Sequence, residues 1–374
     1  MTSNKTMQKQ RALLVFAFQQ EKESEKQRRL RELSEIVRSC GGEVATCFRQ
    51  NLSHYHPATL IGKGKVQEIA TFVEENAIDV VVFEQELSGA QRLHLSEEIP
   101  CRVLDRVDLI LDIFALRAQT KKAKVDVELA QLAYRLPNLR GYGKDLSRTG
   151  GGIGTRGPGE QKLETDRRSI EQRMKRLRQQ RSRITAQERE SGKRRRQSSF
   201  PIVGLVGYTN AGKSTIMNAL ISLFGEKEKE VYADDRLFAT LEVSMRRIAQ
   251  PGKKAYLLAD TIGFIHDLPK KLTAPFASTL EEIRYADLLL HVVDAAEEGA
   301  NERIETVQNR IRSSPQDIPV LYVLNKIDLG DDSVMTPPEQ TIRISAKCEE
   351  DIFRLQERIQ EVLAGETKLA EKSI

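Results

Sequence analysis

The stretch Gly207-Tyr208-Thr209-Asn210-Ala211-Gly212-Lys213-Ser214 fits the pattern G-x-x-x-x-G-K-[ST], and it constrains the chain more than any other feature. The apolar run Pro201 to Val206 before it has the length of a buried strand. After it, Lys213 to Phe224 sets Ile216, Leu220 and Leu223 at helical spacing. Strand, glycine loop and helix in that order let backbone N–H groups converge on phosphate oxygens at the positive end of a helix. Lys213 would add a mobile charge for the β- and γ-phosphates of a nucleotide, and the Ser214 hydroxyl would ligate Mg²⁺, with Thr215 beside it. An ordinary glycine-rich turn into a helix fits the bare pattern too, so the downstream residues decide.

Those residues follow in order. Strands are predicted at Glu242 to Ile248, Ala255 to Ala259, Leu288 to Val293, Val320 to Leu324 and Thr341 to Ile344. The second of these ends in Asp260-Thr261-Ile262-Gly263, where an acid can reach Mg²⁺ through water and the Gly263 N–H can meet a γ-phosphate. The fourth ends in Asn325-Lys326-Ile327-Asp328, whose carboxylate can accept the guanine N1–H and 2-amino group together, a pattern adenine does not offer. Ser345-Ala346-Lys347 after the last strand can donate from its backbone to the guanine oxygen. Four weak motifs, each at a strand end and in this order, define a guanine-nucleotide site, because ligands gather at the carboxyl ends of strands in open parallel sheets.

At 374 residues the chain has room for two or three domains. Its net charge of +5 is modest but unevenly placed: Lys162 to Arg196 holds fourteen Lys/Arg against five Asp/Glu. Such a run suits a phosphate-rich partner, or forms the solvated face of a helix. Cys40, Cys47, Cys101 and Cys348 lack the spacing of metal-ligand pairs and read as small core residues in a reducing compartment. His54 and His56 beside Pro57 have no second ligand pair to accompany them, which favours a loop. Without a signal peptide or a long apolar span the expected location is the cytoplasm.

Before the glycine loop, strands are predicted at Ala12 to Phe18, Glu43 to Phe48, Asp79 to Phe83 and Cys101 to Leu104. Helices are predicted at Glu21 to Ser39, Lys65 to Glu75 and Gly89 to Glu98. This alternation implies a small parallel α/β layer. Within it Leu60-Ile61-Gly62-Lys63-Gly64-Lys65 is either a tight basic turn or a phosphate cradle. Asp105 to Leu136 and Gln161 to Gly192 both carry helical apolar patterns and would pair as an antiparallel hairpin, with Arg194 to Ser199 as linker. Between them, eight of the nineteen residues from Gly141 to Gly159 are glycine, and Lys144, Arg148 and Arg156 face a lone Asp145. A flexible linker is one reading. The other is a segment of small residues and arginines built to enter a narrow, phosphate-lined space, because a few residues would suffice to join the helices.

Three stretches carry a family resemblance. They are Gly150-Gly151-Gly152-Ile153-Gly154-Thr155-Arg156-Gly157-Pro158-Gly159-Glu160, Leu163-Glu164-Thr165-Asp166-Arg167-Arg168, and Asp260-Thr261-Ile262-Gly263-Phe264-Ile265 with Leu268-Pro269. Together they resemble the HflX family of translational GTPases over nearly the whole chain. The resemblance implies an α/β fold: a small N-terminal parallel α/β domain (1–105), a long helical hairpin with its glycine loop and basic linker (106–199), a Ras-like P-loop GTPase domain (200–364) and a polar tail (365–374). It also implies binding to the large ribosomal subunit and its rRNA, splitting of stalled or idle ribosomes, and a glycine loop reaching the peptidyl-transferase region. RNA contacts would then fall to Arg148, Gly150, Gly151, Gly152, Arg156, Arg167 and Arg168. No obligate protein partner is called for, and a monomer is expected. Two departures stand out. The family's switch F-A-T-L-D-P-T-T-R continues here after Phe238-Ala239-Thr240-Leu241 as Glu242-Val243-Ser244-Met245-Arg246, which leaves Thr240 as a Mg²⁺-binding hydroxyl. The family's E-T-Q-L-E-T-D-R-R reads Glu160-Gln161-Lys162-Leu163-Glu164-Thr165-Asp166-Arg167-Arg168.

Lys213, Thr240 and Gly263 are thus the candidate catalytic residues. Ras-like GTPases place a water-orienting Gln after the Asp-x-x-Gly turn, whereas Phe264 stands here, so slow intrinsic hydrolysis of GTP to GDP is predicted. Asn210 resembles the loop asparagine of cation-dependent GTPases, which adds K⁺ as a candidate ion. The competing classes are a GTP-switched RNA-binding assembly module without a strong catalytic role and a signalling GTPase acting on proteins.

Overall fold

The computed structural model describes residues 9–141, 158–195, 200–225, 244–260, 286–296, 299–312, 318–330 and 340–365. The chain divides into two compact units, Met1–Leu116 with Lys124–Ile184, and Arg117–Ala123 with Thr185–Ile374.

The first unit runs β1 (Arg11–Phe18), α1 (Glu23–Ser39), β2 (Glu43–Asn51), α2 (Lys63–Asn76), β3 (Val80–Phe83), α3 (Gly89–Glu98) and β4 (Arg102–Asp105). Its strands pair in parallel in the order β2-β1-β3-β4. Every β1 residue after Arg11 is buried, as a strand covered on both faces requires. One face sets Leu13, Val15 and Ala17 against Val66, Ile69 and Val73 of α2 and Leu95 of α3. A capping box starts α3: the Gln91 N–H donates to Ser88 Oγ at 3.2 Å and the Ser88 N–H donates to Gln91 Oε1 at 3.0 Å. The basic glycine turn is tied back to β2, since the Gly62 N–H donates to Gln50 Oε1 at 3.0 Å and Lys65 pairs with Glu68.

The helical run expected from Asp105 to Leu136 is broken in two, α4 (Arg106–Arg117) and α5 (Lys121–Arg135). Neither Gly nor Pro marks the break. Thr120 does, because its Oγ1 accepts the Ala123 N–H at 3.2 Å and restarts the helix as an N-cap. Helix α6 (Pro158–Arg195) packs Met174 and Leu177 on Val125 and Leu129 of α5. Arg173 reaches Glu128 at 2.7 Å and Arg181 reaches Asp126 at 2.7 Å, so rising numbers on α6 meet falling numbers on α5 and the pair is antiparallel. A buried polar cluster fixes α5. Asp105 Oδ2 accepts the Leu87 N–H at 3.0 Å, Arg92 Nη2 at 2.7 Å and the Tyr134 hydroxyl, while Arg92 Nη1 reaches Asp108 at 2.7 Å. Burial pushes the Asp105 carboxyl above the usual carboxylate range and raises the Tyr134 phenol.

The second unit contains β5 (Ile202–Gly207), α7 (Lys213–Phe224), β6 (Ser244–Ile248), β7 (Tyr256–Asp260), β8 (Leu288–Asp294), α8 (Ala300–Arg312), β9 (Val320–Asn325), β10 (Thr341–Arg343) and α9 (Glu349–Ala364). The sheet order is β10-β9-β8-β5-β7-β6, parallel except for the antiparallel edge strand β6. On one face Val203, Leu205, Leu290, Val292 and Val323 pack with Ile216 and Leu220 of α7 and Leu355 and Ile359 of α9. On the other, Leu289 and Val293 meet Val307 and Ile304 of α8. Parallel pairing brings the carboxyl ends of β5, β7, β8, β9 and β10 to one edge of the sheet.

Candidate nucleotide site

At that edge β5 leaves the sheet through Gly207, whose φ is +146° and whose added Cβ would lie 2.2 Å from the Val292 carbonyl oxygen on β8. The loop re-enters order at Gly212, φ +96°, the N-cap of α7, where a Cβ would fall 2.1 Å from Asn325 Nδ2. Only glycine fits either place. Between them Tyr208 and Ala211 are buried, Thr209 is half-buried, and Asn210 is exposed with φ +64°; Thr215 is exposed on the first turn of α7. Lys213 is buried, and its Nζ donates to the Gly207 and Tyr208 carbonyls at 3.1 and 2.6 Å. Burial pulls the ammonium down to about 8, against the opposing pull of the Asp260 carboxylate.

Ser214 Oγ donates to Asp260 Oδ2 at 3.3 Å, and Asp260 ends β7 wholly buried. A hydroxyl and a carboxylate oxygen side by side are hard donors of the kind Mg²⁺ takes, so the residues present fit that ion. Thr240, Thr261, Ile262, Gly263 and Phe264 lie outside the described residues, as do Arg148, Gly150, Gly151, Gly152 and Arg156.

The base-recognition residues are joined to the phosphate loop by Asn325. Its Nδ2 donates to the Ala211 carbonyl at 2.9 Å, and its Oδ1 accepts the Ala346 N–H at 2.9 Å. Ser345 is held from the other side, its N–H donating to Asp351 Oδ2 at 2.8 Å. The Ser345 hydroxyl holds the exposed Asp328 carboxyl below its ordinary value, with Lys347 and Lys326 adding to the effect. Lys326, at φ +64°, reaches Asp294 Oδ2 at 2.7 Å. Asp294 and Asp351 were not singled out in the sequence, where each is one acidic residue after a strand or in a helix's first turn. His291 carries no signal in the sequence either, as one histidine inside an apolar strand. It lies buried on β8 beside a cavity of about 10 Å³ that Tyr208, Thr209 and Asp294 also line, room for one water. Burial and the Lys213 charge pull His291 down to about 3, so it stays neutral.

Arg167 and Arg168 stand exposed on α6, paired within the helix to Glu171 and Glu164 at 3.0 Å each. Further along, Lys175, Arg176, Arg178 and Arg183 are exposed, and among the described residues no carboxylate is paired with them.

A parallel sheet with a phosphate loop after a central strand, an acid at the end of β7 and an Asn-Lys-x-Asp turn at the end of β9 defines a P-loop GTPase. Residues 27–115 match the family model described as GTP-binding GTPase N-terminal, 117–196 match GTP-binding GTPase Middle Region, and 202–326 match 50S ribosome-binding GTPase. The chain is 42% identical over 362 residues to the GTPase HflX of Caldanaerobacter subterraneus subsp. tengcongensis, covering 96% of this chain and 82% of that one. It is 43% identical over 325 residues to the GTPase HflX of Escherichia coli K12, covering 86% and 74%. The chain belongs to the HflX family, and it binds and hydrolyses GTP. A solved complex of SsGBP with GDP shares the fold at TM-score 0.56 and 23% identity, covering 94% of this chain and 99% of that one.

Proposed function

We propose that this GTPase is a GTP-gated factor of the large ribosomal subunit that promotes the splitting of stalled or idle ribosomes. The observation that carries the partner is the α6 row Lys175, Arg176, Arg178 and Arg183, four exposed cations with no described carboxylate against them, in a chain that also builds a guanine-nucleotide site. Rows of this kind meet phosphate backbones. The family model matching 202–326 is described as a 50S ribosome-binding GTPase, which supports the same partner. Arg167 and Arg168 join the row, since exposed ion pairs are weak enough to yield to phosphate. Arg148, Arg156 and the glycines Gly150 to Gly152 are assigned to the RNA-facing loop. The protein acts as a cytoplasmic monomer, divided as 1–105, 106–199 and 200–364, and among the described residues no helix is long and apolar enough to cross a membrane.

In the reaction, water attacks the γ-phosphorus and the bond to the β-phosphate oxygen breaks, giving GDP and phosphate. Backbone N–H groups from Asn210 to Thr215 hold the phosphates, and Lys213 turns from its loop carbonyls to share its charge with them. Ser214, Asp260 and Thr240 would hold Mg²⁺, which would supply charge neutralisation for the transferring phosphate. Gly263 would donate its N–H to the γ-phosphate. Phe264 supplies no hydrogen bond to the attacking water, so intrinsic turnover is slow and the ribosome completes the site. Asn210, exposed at the loop tip, is the group that would meet K⁺ beside the phosphates. Asn325, Lys326, Asp328 and the Ser345-Ala346-Lys347 backbone recognise guanine.

The test is GTP turnover by the purified chain, alone and with large ribosomal subunits. Strong stimulation is expected. Binding to subunits without stimulation would replace this reading with a GTP-switched RNA-binding assembly module.

A further inference from the structure

We propose that Asp294 is a positioning residue for guanine-nucleotide binding, which fixes the Lys326 side chain before the base arrives. The proposal rests on the reading of Asn325-Lys326-Ile327-Asp328 as the base-recognition turn. Asp294 ends β8 directly opposite Asn325 in the parallel register, and the Ala295 N–H donates to the Asn325 carbonyl at 2.8 Å. Its carboxylate is divided between two tasks. Oδ1 accepts the Ala296 N–H at 3.1 Å, which anchors the acid in its own turn, and Oδ2 meets Lys326 Nζ at 2.7 Å. The pair is largely shielded, with 25% of the Lys326 side chain and 13% of the Asp294 side chain exposed.

The geometry around Lys326 makes this pinning useful. Asn325 is tied toward the phosphate loop through Ala211 and toward Ser345-Ala346-Lys347 through Ala346. The backbone then turns through the left-handed φ of +64° at Lys326 into a 3-10 turn, Ile327–Leu329. A lysine leaving such a corner would sample many rotamers. Held by Asp294, its four-carbon stem is stretched in one direction beside the base-recognition turn and presents a fixed apolar flank to a purine ring. Order that exists in the free protein does not have to be created on binding, and the saving appears as affinity.

Because a stem packed on a ring face does not read the 2-amino group, losing Asp294 should weaken guanine and hypoxanthine nucleotides alike. The experiment measures Kd for GDP and IDP by titration calorimetry on the full chain in wild type, D294A, K326A and the D294A/K326A double variant, with D328N as the specificity control. D294A is expected to raise both Kd values about tenfold, the scale of one lost charge-assisted contact, with the GDP to IDP ratio unchanged. In the K326A background D294A should add nothing, and D328N should collapse the ratio. If D328N leaves the GDP to IDP ratio unmoved, the base-recognition reading fails and this inference with it; if the ratio collapses while K326A leaves GDP affinity unmoved, the inference alone is overturned. If K326A weakens binding and D294A does not, the inference alone is overturned. It is overturned also if the two effects multiply, because Asp294 would then act through its own turn and not through Lys326.

Discussion

Single atoms decide much of the nucleotide site, and the two loop glycines separate stability from binding. A Cβ at Gly207 would strike a backbone oxygen of the adjoining central strand at 2.2 Å, and neither strand can move without opening the sheet. Gly207→Ala should cost ~3 kcal/mol or more in urea denaturation. The corresponding atom at Gly212 meets a side chain, Asn325 Nδ2, which can swing away at the expense of its bond to Ala211. Gly212→Ala should therefore cost less stability than Gly207→Ala, the strain of φ +96° remaining, and lose about 10- to 100-fold in GDP affinity by titration. Lys213 gives a pH signature. In the empty site it holds its proton only up to about pH 8, whereas phosphates favour the ammonium. GDP binding should take up a proton above pH 8, and affinity should fall by up to about tenfold per pH unit there. Calorimetry in buffers of different ionisation enthalpy reads the uptake, and Lys213→Met should abolish it. The same lowering from 10.5 means that the ligand-free fold binds fewer protons than the unfolded chain between about pH 8 and 10.5, so its stability rises across that window.

At the scale of elements, α5 and α6 are held by different means. Helix α5 is anchored by the Tyr134 hydroxyl on a buried carboxylate that Arg92 already neutralises. Tyr134→Phe leaves Asp105 one donor short in a dry place and should lower the stability of the first unit by about 1–3 kcal/mol. Helix α6 offers its surface to solvent. Replacing Lys175, Arg176, Arg178 and Arg183 with Gln should weaken binding to large subunits, and the slope of log K against log salt should shrink by roughly 0.7–0.9 for each cation that meets a phosphate. A slope that stays the same would remove this row from the interface. The elements themselves were legible in sequence wherever one period ran unbroken: β1, α3 and α7 begin and end within a residue of expectation. The break in the helical run from Asp105 is not legible, because the apolar spacing continues past the Thr120 cap, and a cap overrides periodicity without changing composition. The motifs at the strand ends were legible because phosphate and guanine chemistry demands particular residues at short spacing. Asp294 and Asp351 were not, because their partners Lys326 and Ser345 come together only through sheet pairing and helix packing.

For the molecule as a whole, the two units carry separate cores, one around β1 and α2, the other around β5, α7 and α9. A ligand stabilises only the cooperative unit that binds it, by RT ln(1 + [L]/Kd), which is about 2.7 kcal/mol at a hundred times Kd. The phosphate loop, Asp260 and Asn325 all belong to the second unit, while the Tyr134 and Asp105 cluster belongs to the first. Scanning calorimetry of the full chain should then resolve two transitions. GDP should raise one and leave the other in place, and Tyr134→Phe should lower the one that GDP does not touch. Should both transitions move together with GDP, the units unfold as one body, and the nucleotide's free energy reaches the first unit directly. In that case a GTP-dependent hold on RNA would need no further relay, because the phosphate loop and the α6 row would share one cooperative structure.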